Sequence, residues 1–343
     1  MISVPHWSSE LAEPDIALSR RVQIFALNTS ASLGAAVARH LGQSLALHEE
    51  RDFEDGEHKV RPLDVVANSE VYVIQNLNSD EAESANDKLC KLLFFIGALK
   101  DAGAQRVTAI TPYLCYARKD RRTQPLDPVT TRYVANLFEA VGVDAVVALD
   151  VHNPVAFENA FRCRAVSLTA APLFVDFAKA LEWGPLSVVS PDPGGAKRAD
   201  VYREALETAL GSPVGKGLAE KHRARGIVSG DLFAGDVADA TALVIDDLMS
   251  TGTTLLRTAR SAKQAGAQRV IALVTHALLK RGADSVLADP AIDRFVFTDA
   301  VAIPHDAVAG GREKIQILPV APLLAAAIRR IHEGRSLADL LAP

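Results

Sequence analysis

The chain has 343 residues, 49% of them hydrophobic and 23% charged, with a formal net charge of −5. That length holds two domains with separate cores, and the acidic balance excludes a general nucleic-acid binder while leaving room for local basic patches. No apolar run approaches the ~20 residues that span a bilayer, and three cysteines without a C-x-x-C pair (Cys90, Cys115, Cys163) predict buried thiols in a reducing cytosol rather than a disulfide frame.

Residues 1 to about 20 are acidic, lack a signal-peptide apolar region and read as a polar tail. Beyond them, apolar strand candidates alternate with amphipathic helix candidates. Val22–Ala26 precedes a helix near Leu33–Leu41. Arg51 to Glu57 then sets acids around Phe53 at a turn; the ring suits stacking on a base, and a solvated hairpin tip fits the composition equally. Val71–Ile74 precedes a helix near Ser84–Ala102. Val107–Thr111 leads into a loop from Tyr116 to Pro128, where Arg118, Lys119, Arg121 and Arg122 surround Asp120. Guanidinium forks suit phosphate oxygens; a solvated basic loop or a weak RNA contact is the alternative.

Ala145–Leu149 ends at Asp150-Val151-His152-Asn153, where a histidine serves a metal, a phosphate or simply the fold. Ser187–Val189 runs into Asp192, and Gly194-Gly195 permits close backbone approach before the next helix. Lys197 and Arg198 fall in that helix's first turn, where the dipole disfavours cations, so an anionic partner is expected; a plain glycine turn is the alternative. The stretch from Gly211 to Gly235, with Lys221-His222-Arg223, shows little helical or strand period and reads as a mobile loop, a lid or disordered surface.

Leu243–Ile245 next delivers Asp246 and Asp247 to a strand end, ahead of Ser250, Thr251, Gly252, Thr253 and Thr254 and then helix formers. Such a loop offers hydroxyls and backbone N–H groups to an anion at a helix N-terminus. The acid pair suits ribose hydroxyls or a magnesium ion, and the whole describes a site for ribose 5-phosphate; an ordinary turn with two capping aspartates is the alternative. No Walker loop occurs. Val270–Val274 and Arg294–Thr298 complete the series, which predicts mostly parallel sheet covered by helices, with ligands beyond the carboxyl ends of the strands. The hexapeptide Ala102-Gly103-Ala104-Gln105-Arg106-Val107 recurs as Ala265-Gly266-Ala267-Gln268-Arg269-Val270, each copy at a helix-to-strand junction, which favours two related α/β domains.

Taken together, these motifs resemble the ribose-phosphate pyrophosphokinase (PRPP synthetase) family from about Val22 to Leu341. Phe53 to Glu57 matches its F-S-D-G-E-like turn, Tyr116 to Arg122 its Y-A-R-Q-D-R-K loop, and Asp150 to His152 its D-L-H. Ser190 to Gly195 matches S-P-D-x-G-G, and Asp246 to Thr254 the phosphoribosyl D-D-x-x-x-T-x-x-T loop. The resemblance implies an α/β fold with two similar doubly wound phosphoribosyltransferase-type domains of mostly parallel sheet. Residues 21–165 would serve ATP and 166–343 ribose 5-phosphate, with the last segment packing on the first domain. It implies cytoplasmic transfer of the β,γ-diphosphoryl group of MgATP to the C1 hydroxyl of ribose 5-phosphate. By position, Lys221 and Arg223 would be catalytic. Phe53, Asp55, Glu57, Arg118, Lys119, Asp120 and His152 would hold ATP; His152 and Asp192 its Mg2+; Asp246, Asp247 and Ser250 to Thr254 the sugar phosphate. A homo-oligomer, dimer or hexamer, would share the ATP site between subunits, with no nucleic-acid or membrane partner. The competing readings are a phosphoribosyltransferase that consumes PRPP and a non-catalytic PRPP-synthetase-associated regulator. Lys119 stands where the family usually has Gln, Ala67 where it has an arginine linked to phosphate and ADP regulation, and Asn153 to Phe157 replace its segment after the histidine.

Overall fold

The computed structural model describes residues 21–181, 183–224, 227–303 and 311–341, with the side chains of 220–232 also outside the described set. The polar tail expected over residues 1–20 therefore lies outside the described residues. The chain forms two bodies, one of residues up to Thr169 together with Val320–Leu341, the other of Ala170–Pro319.

In chain order the first body runs β1 (Val22–Ala26), α1 (Ala31–His40), β2 (His48–Asp52), β3 (His58–Pro62), β4 (Glu70–Ile74), α2 (Ala85–Asp101) and β5 (Arg106–Ile110). It continues with α3 (Thr130–Ala140), β6 (Ala145–Leu149), α4 (Pro154–Ala160) and β7 (Arg164–Leu168). The second body holds α5 (Ala171–Lys179), β8 (Leu186–Ser190), α6 (Ala196–Leu210), β9 (Gly215–Ala224), β10 (Ile227–Gly235) and β11 (Thr241–Met249). After these come α7 (Thr253–Gln264), β12 (Arg269–Ala277), α8 (Ala283–Ala288), β13 (Arg294–Thr298) and β14 (Ile315–Leu318). The chain then returns to the first body with α9 (Ala321–Glu333) and α10 (Ala338–Leu341).

Strands such as EVYVI and AVVAL are apolar at nearly every position and buried throughout, the pattern of parallel sheet covered on both faces. The first body's sheet is parallel in the order β1-β4-β5-β6-β7, around a core that includes Phe25, Phe95, Phe138 and Phe157. The second body's sheet has the order β10-β9-β8-β11-β12-β13-β14, parallel except for the β9–β10 pair, over a core including Val244, Leu255, Phe295 and Phe297. Strand order reverses where β8 lies beside β11: the chain builds outward through β9 and β10, then restarts on β8's other side. Such a switch point leaves a crevice at the carboxyl ends of the two strands.

The stretch expected as a mobile loop from Gly211 to Gly235 is instead mostly an antiparallel hairpin, β9 with β10, continuing the sheet from β8. Its glycines mask the strand period because they serve close packing. A Cβ at Gly217 would lie 2.9 Å from the Phe233 ring and 3.1 Å from Val189.

The hexapeptide repeat marks a larger correspondence. Gly103 and Gly266 follow α2 and α7 with φ of +85° and +96°. Each accepts at its carbonyl an N–H from a left-handed residue, Asn68 and Asp239, both at φ 57°. Val107 and Val270 donate their N–H to Asp144 and Asp293, 2.7 Å in each case, and Lys100 and Lys263 pair with those same aspartates. Strand pairing corresponds throughout, β1-β4-β5-β6-β7 matching β8-β11-β12-β13-β14. In each body a hairpin follows the helix after the matched first strand: β2–β3 lies between α1 and β4, and β9–β10 between α6 and β11.

Candidate active site

The second body's crevice is built from two strand ends. β8 stops at Ser190, and Asp192 turns the chain: its Oδ1 accepts the Gly195 N–H at 2.9 Å, while the Ser190 hydroxyl donates to the Asp192 carbonyl. α6 starts immediately afterwards, and the Asp192 side chain stays exposed. β11 pairs with β8 only as far as Val244 and then runs on to Met249 beside β12. Asp246 and Asp247 therefore lie within the strand rather than at its end, on the side where β8 has stopped.

Consecutive strand residues ordinarily point to opposite faces. Here Asp246 curls back, its Oδ1 taking the Asp247 N–H at 2.9 Å, and both acids reach one guanidinium. Arg198 Nη1 stands 3.2 Å from Asp247 Oδ1 and 3.6 Å from Asp246 Oδ1. Burial, then the Asp247 charge, push the Asp246 carboxyl well above its ordinary value against the pull of Arg198. The anionic partner expected for Arg198 in the first turn of α6 is thus the protein's own acid pair.

Beyond Met249, Gly252 caps α7 in the left-handed region at φ +78°. A Cβ there would lie 2.4 Å from the Met249 methyl and 2.9 Å from Val286, so both space and conformation call for glycine. Lys280 N–H donates to the Ser250 carbonyl and Leu278 N–H to the Met249 carbonyl, bracing the loop from below. Thr251 and Thr253, both exposed, bring their hydroxyls within 3.3 Å of each other at the start of α7. The first-turn amides of a helix have no intrahelical partners and attract anions. α7 also reaches the Asp192 turn, where Thr258 Oγ1 and Arg257 lie 3.5 Å from the Pro191 carbonyl.

In the first body the sequence-marked residues cluster on loops after β5 and β6 and on the β2–β3 hairpin. Phe53 sits at the hairpin tip, 41% exposed, with Arg51 stacked 5.1 Å from its ring centre; Asp55 and Glu57 are exposed beside it. Lys91 of α2 anchors the hairpin next to its tip, pairing with Asp52 at the end of β2 at 2.7 Å and with Glu83 at 2.5 Å. His58 stacks on Phe94, ring centres 5.4 Å apart. Arg118, Lys119, Arg121 and Arg122 are all exposed on the basic loop. The loop's far end is closed by Asp127, which accepts from the Thr123 hydroxyl and from the Thr123 and Gln124 N–H groups; these bonds hold its carboxyl below the usual range.

Asp120 is tied to the segment after β6. Asn153 donates from Nδ2 to Asp120 Oδ2 at 2.6 Å and caps α4 by accepting the Ala156 N–H. The residue that departs from the family pattern after His152 thus links the basic loop to the histidine segment. His152 itself is exposed. Lys91 belongs to none of the motifs, and the Asn153–Asp120 bond joins residues 33 apart in the chain. The side chains of Lys221 and Arg223, on β9, lie outside the described residues.

Among the described residues no group of three or more His, Cys, Asp or Glu side chains forms a metal cage. Asp192 and His152 each offer one exposed donor, an oxygen and a nitrogen, on different bodies. An exposed carboxylate such as that of Asp192 fits Mg2+ carried in on a polyphosphate, because the ion keeps waters and substrate oxygens and needs only one or two protein donors. Of the cysteines, Cys115 is buried and its thiol pushed up to about 12, first by burial, whereas Cys90 is exposed rather than buried as expected. Among the described residues no helix is long and apolar enough to cross a membrane.

Residues 22–142 match the N-terminal domain of ribose phosphate pyrophosphokinase, and 231–342 match the phosphoribosyl synthetase-associated domain. The chain is 35% identical over 321 residues to a ribose-phosphate pyrophosphokinase of Caldanaerobacter subterraneus subsp. tengcongensis, covering 93% of this chain and 97% of the relative. Against the ribose-phosphate pyrophosphokinase of Ralstonia nicotianae the identity is 33% over 326 residues, 94% of this chain and 99% of the other. The crystal structure of phosphoribosylpyrophosphate synthetase from Mycobacterium smegmatis superposes with a TM-score of 0.82 at 28% identity, covering 92% of this chain and 100% of that one.

Proposed function

The chain belongs to the ribose-phosphate pyrophosphokinase family, and from that premise we propose that it makes PRPP and AMP from ribose 5-phosphate and MgATP. The observation that carries this reading is the Asp246–Asp247 pair set beside the open N-terminus of α7 at the reversal of strand order. Carboxylates accept from a sugar diol, and helix amides with the hydroxyls of Ser250, Thr251, Thr253 and Thr254 donate to a 5-phosphate. The remaining oxygen of consequence is the C1 hydroxyl. It attacks the β-phosphorus of ATP, its proton is lost, the bond from the β-phosphorus to the α–β bridging oxygen breaks, and AMP leaves.

In this proposal Arg118, Lys119 and Asp120 serve the ATP phosphates and ribose, with Asn153 fixing the loop that bears them. Phe53, Asp55 and Glu57 take the adenine, and His152 and Asp192 hold the nucleotide-borne Mg2+. That ion, when bound, offsets charge on the transferring phosphates. Lys221 and Arg223 would supply the cations that meet charge growing on the β,γ oxygens as water is excluded. The exposed hairpin tip supports a homo-oligomer, dimer or hexamer, in which one subunit lends its Phe53 turn to a neighbour. A cytoplasmic location is part of the same proposal.

Incubation with MgATP and ribose 5-phosphate tests it: equal AMP and PRPP are expected. Activity only with PRPP and a free base would make the chain a transferase, and binding without turnover a regulator. Lys221→Ala is expected to lower turnover by ~10²–10³, the scale of losing one charge-stabilising donor. Mixing it with Phe53→Ala, assembled together, should restore part of the lost rate, because some shared sites then draw both intact residues.

A further inference from the structure

We propose that Arg198 is the positioning residue of the sugar subsite: its guanidinium aims the Asp246–Asp247 pair at the two hydroxyls of a ribose and keeps it from gathering a divalent cation. This rests on the diphosphokinase reading and settles which of two ligands, a diol or a metal ion, the acid pair takes.

Charge and place lead to it. Arg198 is the third residue of α6, where the helix dipole repels a cation by itself. Its side chain is 23% exposed and reaches an aspartate, Asp247, that is 5% exposed. A cation held there against the dipole needs the acids, and the acids need it. Asp246, 21% exposed, approaches the same Nη1. Two adjacent carboxylates without a counter-charge make a strong site for a hard divalent cation. With a guanidinium already in place, a cation entering would meet like charge, whereas a neutral diol carries no charge for it to repel. The cost of crowding negative charge is visible in Asp246, whose carboxyl is held up by burial and by Asp247 even with Arg198 present. The geometry is also local to one body. α6 follows directly from the Asp192 turn, so the residue that orients the acids is carried by the helix that begins beside the proposed metal donor.

The test uses the full-length protein. Arg198→Met is expected to raise KM for ribose 5-phosphate about tenfold or more, the effect of losing a charged hydrogen bond, while KM for ATP stays unchanged. Arg198→Lys should recover part of the loss. In nucleotide-free protein, Mn2+ titration followed by electron paramagnetic resonance should show tighter binding in Arg198→Met than in wild type, and the gain should vanish when Asp247→Asn is added. An unchanged KM for ribose 5-phosphate, or Mn2+ held by the wild-type protein and released in Asp247→Asn, would overturn the proposal. So would equal loss toward both substrates with a lowered unfolding midpoint, the mark of a purely structural role. If Arg198→Met does not fold, Arg198→Lys carries the test, and the absence of any KM split in it overturns the idea. A wild-type protein that forms no AMP would sink the diphosphokinase reading, yet the Mn2+ comparison would still decide the role of Arg198.

Discussion

Asp246 shows how a functional group is held at a cost. Its carboxyl is raised, so the folded state disfavours the ionised form. By linkage, its contribution favours folding below the ordinary carboxylate range and is lost as pH rises through the raised value. At neutral pH the side chain is therefore a burden on the unliganded fold. Asp246→Asn is expected to add about 1 kcal/mol of stability, raising the thermal unfolding midpoint, and to weaken ribose 5-phosphate binding. Calorimetric melting beside a sugar-phosphate titration checks both, and a destabilised variant would show that Asp246 is a structural acid. The amino-acid sequence displayed this acid pair and its phosphate loop because their chemistry is local, nine residues on one strand and turn. It displayed Arg198 only as a cation on the wrong end of a helix, since its partners follow 48 and 49 residues later. The sequence marks Asn153 only as a departure from the family pattern, because its partner Asp120 lies 33 residues away.

At the scale of elements, the hairpin that offers Phe53 shows itself in the sequence only at its tip. β2 reads HEERD and β3 HKVRP, with hardly an apolar residue, so no strand period was there to find. Its pairing is supported by charges instead: Arg61 and Lys59 on Glu49, and Lys91 on Asp52 and Glu83. Burial opposes the charge on Lys91, but its two carboxylate partners outweigh it and hold the ammonium above its ordinary value. Lys91→Met leaves the largely buried Glu83 without that cation and is expected to cost about 2 kcal/mol. It should also raise KM for ATP with little change in kcat, because the hairpin loses its anchor while the sugar subsite is untouched. Unaltered ATP kinetics would detach the hairpin from nucleotide binding. Buried strands such as Ala145–Leu149 and Arg294–Thr298 were legible to the residue, because apolar β-branched runs have few other fates. The outer strands β7 and β14 were not, RAVSL and IQIL each carrying a polar residue inside a short apolar run.

Across the whole molecule, the two bodies repeat one plan with one of the two sites rewritten. Counting from the matched strand starts Glu70 and Thr241, the positions of Asp246 and Asp247 are filled in the first body by Gln75 and Asn76. Both amides are buried and committed to the fold: Gln75 donates to the Thr29 hydroxyl, and Asn76 accepts the Tyr113 N–H. Acids that could take a diol have become struts. One ribose 5-phosphate per chain is therefore expected by isothermal titration, and two equivalent sites would contradict the assignment of the acid pair as the sugar subsite. The six-residue repeat hinted at this plan; the amide substitution became readable only once the strands were aligned in space.

The return of α9 to the first body has a consequence for synthesis. Leu323, Leu324, Ile328 and Ile331 are buried, α9 packs beside α1, and the buried His332 pairs with Glu70 of β4 at 2.8 Å. Nascent domains usually close in the order they emerge, at roughly 5–20 residues per second. Here the earlier part must wait, with an apolar flank uncovered, until α9 has been synthesised. The later body can finish before the earlier one, and a chain cut short anywhere upstream of α9 leaves the first body open-sided.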